Sequence, residues 1–141
     1  LRPVGRIHIG DPAVCLWACR LIALLAGTSP KAQQVMVTAR ARDFVPQVLA
    51  RHCDSDRDVC DAACRALLSL ARDRPDNQAA MRAAGACEPV VKVLRAAIAK
   101  GRHTLCLLGC DAVRALAIES WRAQAVLQMF GACEALIAAL R

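Results

Sequence analysis

The chain has 141 residues, 57% of them hydrophobic, a formal charge of +7, and only two Phe, two Trp and no Tyr. Such a chain has ample material for a buried core and is not disordered. No run reaches the roughly 18 uninterrupted apolar residues of a membrane span, because Arg20 divides the most apolar stretch, and no signal-peptide or lipidation pattern stands out. The positive charge is spread along the chain, mostly as Arg, and stacking aromatics are scarce, which argues against a nucleic-acid partner.

The predicted elements are all helical and recur in a cycle of long, short and middle. Residues 1–10 fit loosely as the tail of a preceding middle helix. A long helix is predicted over 13–27, a short one over 31–39 and a middle one over 43–53. The second cycle covers 56–72, 75–84 and 87–99, with Ser55 and Asp56 as capping residues and Pro75 in a first helical turn. The third covers 103–118, 121–130 and 132–141. Gly85 and Gly131 separate short from middle helices and let the chain turn sharply. Asp43, Glu88 and Glu134 share one repeat position at a helix start, where a carboxylate offsets the dipole. No strand pattern occurs, so the predicted class is all-α.

The long helices are three copies of one motif: "VCLWACRLIALLA" (Val14–Ala26), "VCDAACRALLSLA" (Val59–Ala71) and "LCLLGCDAVRALA" (Leu105–Ala117). Their Cys-x-x-x-Cys pairs, Cys15/Cys19, Cys60/Cys64 and Cys106/Cys110, follow one another at 45 and then 46 residues, the mark of a repeat protein. Units near 11–54, 55–101 and 102–141 follow, forming a single array over 1–141. Because "ALIAALR" at the end continues an apolar helical pattern, the expectation is a piece of a longer solenoid.

The segment "NQAAMRAAGACEPVVKVL" (Asn77–Leu94), taken with the long-helix motif, resembles the armadillo repeat, and "GACE" stands at both Gly85–Glu88 and Gly131–Glu134. The resemblance spans nearly all of the chain from about residue 11. It implies a right-handed α-solenoid of three-helix repeats. The first repeat departs from the pattern, with Arg40, Ala41 and Arg42 where Gly-Ala-Cys stands in the others.

On a helical wheel, motif positions 1, 5, 8, 9 and 12 form one apolar face, which in the central copy is Val59, Ala63, Ala66, Leu67 and Leu70. The cysteines at positions 2 and 6 lie about 100° and 140° round, at the border of that face, where small side chains suit close helix approach. Zinc needs three or four converging ligands. Pairs on stacked helices translate past each other instead, and His8, His52 and His103 share no repeat position, so packing is preferred to metal and no cofactor is expected. Cys87 and Cys133 are expected to fill the apolar slot that opens each middle helix. Cysteines inside helical segments point to reduced thiols and a cytoplasmic or nuclear protein.

Catalytic patterns are missing: no phosphate loop, no Gly-x-Ser-x-Gly elbow, and Asp61 with Arg65 reads as a surface ion pair. The chain is expected not to be an enzyme. A helical array leaves an extended concave surface lined by its long helices, suited to proteins or extended peptides. Positions 3, 7 and 11 would line it: Leu16, Arg20 and Leu24; Asp61, Arg65 and Ser69; Leu107, Asp111 and Ala115. The importin-alpha branch of the family carries Trp and Asn at positions 7 and 11, which this chain lacks, so a nuclear-import receptor is disfavoured. Arg20 and Arg65 are more similar to the basic groove of the beta-catenin branch, which takes acidic partners. The alternative is a structural or spacer arm of a larger protein such as a ubiquitin ligase or kinase.

Overall fold

A computed structural model describes residues 9–141, which form nine helices and no strand. They are α1 (Pro12–Ala26), α2 (Pro30–Thr38), α3 (Ala41–His52), α4 (Arg57–Ala71), α5 (Pro75–Ala83), α6 (Cys87–Ala99), α7 (His103–Ala117), α8 (Trp121–Met129) and α9 (Ala132–Leu140). The reading of residues 1–8 as a preceding helix lies outside the described residues. No single helix among the described residues is long and apolar enough to cross a membrane, and α8 and α9 are bent by 69° against each other.

Local chemistry sets the boundaries. Asp56 accepts from the N–H groups of Asp58 and Val59 at 3.1 Å, and Asp11 does the same for α1 with Ala13 at 3.0 Å and Val14 at 3.5 Å. Ser29 and Ser120 cap α2 and α8, while Pro12, Pro30 and Pro75 occupy first-turn positions that need no N–H. Asp43, Glu88 and Glu134 do stand in the first turns of α3, α6 and α9.

Each turn from short to middle helix passes through a left-handed residue. Gly85 has φ +85° and Gly131 φ +90°, and the first repeat makes the same turn with Arg40 at φ +63°. The missing glycine therefore leaves the geometry intact and places a side chain where one is disfavoured.

Packing repeats with the sequence. The long helices α1, α4 and α7 lie side by side, the middle helices α3, α6 and α9 do likewise, and α3 and α6 each pack on the long helix that follows, α4 and α7. This is a helical-repeat arrangement. The predicted central face is fully inside, with Val59 1% exposed and Ala63, Ala66, Leu67 and Leu70 at 0%, and each of the two leucines contributes about 1.5–3 kcal/mol by its burial.

The cysteine border lies deeper than a wheel implies. Cys15, Cys19, Cys60 and Cys64 all belong to the core, because the neighbouring helices cover the edge of the face as well as its centre. Cys106 and Cys110, on the last long helix, are half-buried. Cys87 fills the slot at the start of α6 as expected, but Cys133, at the start of α9, is exposed.

A buried polar seam joins the first two repeats. Asn77 Nδ2 donates to Gln33 Oε1 at 3.2 Å and to the Leu70 carbonyl at 2.8 Å, and Gln33 Nε2 donates to the Ser69 carbonyl at 2.7 Å. Between the second and third repeats the crossing bonds come from arginines, Arg82 to the Leu116 carbonyl at 3.1 Å and Arg95 to the Phe130 carbonyl.

Candidate functional site

Stacking α1, α4 and α7 brings their motif positions 3, 7 and 11 onto one surface. Leu24 is 66% and Leu107 60% exposed, and Arg20, Arg65 and Asp111 are exposed as well. Leu16, Asp61, Ser69 and Ala115 are half-buried, and Leu16 and Ala115 pack on the core. The nine residues thus divide into an outward-facing set and a set that supports it.

Arg20 and Arg65 occupy the same repeat position in different electrostatic settings. Arg65 Nε lies 2.7 Å from Asp61 Oδ1 on its own helix, so much of its charge is answered locally. In α1 the residue matching Asp61 is Leu16, and the Arg20 guanidinium rests 5.0 Å from the centre of the Trp17 ring, a cation–π contact that orients it. No carboxylate pairs with Arg20 among the described residues. In the third repeat Asp111 takes this position and is held by Arg114 at 3.2 Å. At this repeat position, therefore, Arg20 alone carries a positive charge with no carboxylate paired to it among the described residues.

Ser69 has a structural task. Its hydroxyl donates to the Ala23 carbonyl of α1 at 3.0 Å and its carbonyl receives Gln33, so it ties two long helices together. That leaves little of it for a ligand.

Two residues that sequence reasoning missed extend the surface. Trp17, 65% exposed, and Leu21 continue the stripe of Leu24 at i, i+4, i+7 spacing on α1. The signal was present in the motif comparison, since Trp17 stands where the other copies have Ala62 and Leu108, and Leu21 where they have Ala66 and Ala112.

The thiols buried in α1 and α4 resist ionisation. Burial, reinforced by Cys15, pushes Cys19 up to about 12, and burial with Cys53 and Asp56 nearby does the same for Cys60. Cys64 is raised further, again chiefly by burial. The Cys60 thiol donates to the His52 carbonyl at 3.0 Å, a neutral-thiol contact. Among the described residues no group of three or more His, Cys, Asp or Glu is placed to hold a metal ion.

Two open hollows flank the stack. One, of about 560 Å³, lies between the starts of α4 and α7 and is bordered by Arg57, Asp61, Lys100, Arg102 and His103; the other, of about 500 Å³, lies between α5, α6 and α8 beside Arg82, Glu88 and Arg122.

The arrangement offers exposed leucines and guanidinium groups on a firm helical support, which is chemistry for contact. No family model, no curated protein and no solved structure matches this chain.

Proposed function

We propose that the chain is an armadillo-like, right-handed helical array that acts as a protein–protein interaction scaffold, binding an extended, partly acidic segment along the face of α1, α4 and α7. The observation that carries this reading is the row of exposed apolar and basic side chains, Leu24, Leu107, Arg20 and Arg65, on three successive long helices. The family assignment is supported by the long, short and middle helix cycle and by the left-handed turn at one position of each repeat. Arg20 is the favoured anchor for a carboxylate, because Trp17 orients it and its own helix leaves it unanswered. In this reading the protein is not an enzyme and works in the cytoplasm or nucleus, in keeping with cysteines that sit mostly inside the helical core.

The test is the double charge reversal Arg20→Glu and Arg65→Glu, assayed against a partner recovered by pull-down. Both side chains are exposed, so folding should be little changed. Binding should weaken at least tenfold, since charge-assisted contacts contribute about 1.5–3 kcal/mol each where shielded. Lys31→Glu with Lys92→Glu supplies a control of equal charge on a short and a middle helix; Arg82 and Arg95 are unsuitable because both hold bonds between repeats. Equal losses in both variants would indicate diffuse electrostatics. Unchanged binding in the first would remove the long-helix face as the site.

A further inference from the structure

We propose that the hollow between the starts of α4 and α7 binds a phosphoryl group, either as free phosphate or as one carried on a serine side chain. This hollow of about 560 Å³ lies between the second and third repeats, walled by α4 on one side and by the α6–α7 turn with the first turn of α7 on the other.

The charges around it are unequally committed. Its lining holds Arg57, Lys100, Arg102 and His103, and against them the carboxylates of Asp58 and Asp61. Asp61 is taken by Arg65 at 2.7 Å, and Asp58 lies 3.8 Å from Arg57, so each acid has a cation on its own helix. Lys100 and Arg102 make no ion pair and no side-chain hydrogen bond among the described residues. Arg102 is moreover half-buried, and a charge partly withdrawn from water is costly until it is paired. Two uncommitted cations match the charge of about −1.5 to −2 that a phosphoryl group carries near neutral pH. The guanidinium offers its flat fork of donors and the ammonium a mobile point charge, the two modes by which proteins hold phosphate.

Neutral donors stand on the same wall. The Thr104 side chain is exposed and borders the hollow. The first-turn N–H groups of α7 receive no side-chain cap, whereas Asp11 and Asp56, at the position of Arg102 in the other repeats, cap α1 and α4. Lys100 likewise stands where the second repeat has Asp54. An anion between Lys100, Arg102 and the start of α7 would supply the negative charge that the other two long helices carry in their own sequence. The proposal is independent of the partner-binding reading, since Asp61 alone of those nine residues borders the hollow and it is held by Arg65.

The test is an amide NMR titration of the 141-residue chain with inorganic phosphate, at ionic strength held constant with sodium chloride. Shifts should saturate and centre on residues 100–105. Lys100→Gln with Arg102→Gln should weaken the affinity at least tenfold, Lys100→Gln alone should weaken it measurably, and Lys31→Gln should leave it unchanged. Arg102→Asp gives α7 the carboxylate that α1 and α4 already have, so it should abolish the saturating response while raising the urea midpoint. A blocked phosphoserine titrated in parallel distinguishes the two sources: tighter binding than phosphate assigns a group carried on a side chain, weaker binding the free ion. Shifts that grow without saturating, shifts equally large at the starts of α1 and α4, or an affinity unchanged in the double glutamine variant overturn the proposal.

Discussion

Replacing Arg40 by glycine should stabilise the protein, and replacing Gly85 by alanine should do the reverse, for one shared backbone reason. Both residues make the turn from short to middle helix, at φ +63° and +85°. A side chain in this region costs about 1–2 kcal/mol. Arg40→Gly removes that strain but frees the unfolded chain by about 0.4–1 kcal/mol, and it deletes the exposed Arg40–Asp43 pair at 3.0 Å, worth a few tenths at most. The balance is a gain of about 0.5 kcal/mol. At Gly85 an added Cβ meets nothing within 4 Å, so no clash enters and Gly85→Ala reports backbone strain alone. Strain less the unfolded-state gain leaves a loss of about 0.5–1 kcal/mol. Urea titration reads both as shifts in midpoint at constant slope. A clear loss for Arg40→Gly, or a gain for Gly85→Ala, would refute the requirement for a left-handed residue at this turn.

The buried seam predicts that Asn77→Ala costs about 2–3 kcal/mol in a denaturant titration, because Gln33 Oε1 and the Leu70 carbonyl lose a buried donor. Gln33→Ala added to Asn77→Ala should then cost less than it does alone. Gly109→Ala should lower stability by about 1 kcal/mol despite the better helix propensity of alanine, since its Cβ would press on Leu94 at 3.2 Å. The buried thiols predict alkaline weakening. Their ordinary value is 9.0 and burial holds Cys19 and Cys60 near 12, so the unfolded chain releases protons that the folded one retains. Stability is therefore intact below about pH 9 and falls from there towards about 12, by up to about 1.4 kcal/mol per pH unit for each thiol. In a thiol-labelling experiment at pH 8, exposed Cys133 should react quickly and Cys19, Cys60 and Cys64 only on unfolding.

Helix existence and order were legible in the sequence because the repeat supplies three independent copies of each signal. Asp56, Pro75 and Gly85 each act through one local backbone interaction, so their roles survive into the fold unchanged. What pairs with what across repeats was not legible. The Asn77 seam depends on residues more than thirty positions apart, although Asn77 stands out against Ala32 and Ala123 at the same repeat position. The depth of the cysteines was also hidden, since a wheel of one helix cannot count the neighbours that cover its border. The candidate surface was read from the same wheel, which places Leu24 and Leu107 outward but gives no warning that Ser69 is tied to Ala23 or that Trp17 carries Arg20.

The central claim is that a partner lies along the face of α1, α4 and α7, and site-specific photo-crosslinking tests it most directly. A photoreactive residue in place of Leu24 or Leu107 projects from that face, and one in place of Gln47 on α3 or Ala79 on α5 projects from other exposed positions. The account predicts crosslinks to the recovered partner from positions 24 and 107, lost on adding Arg20→Glu and Arg65→Glu, with little from 47 and 79. Crosslinks from 47 or 79 in the absence of any from 24 and 107 would contradict it.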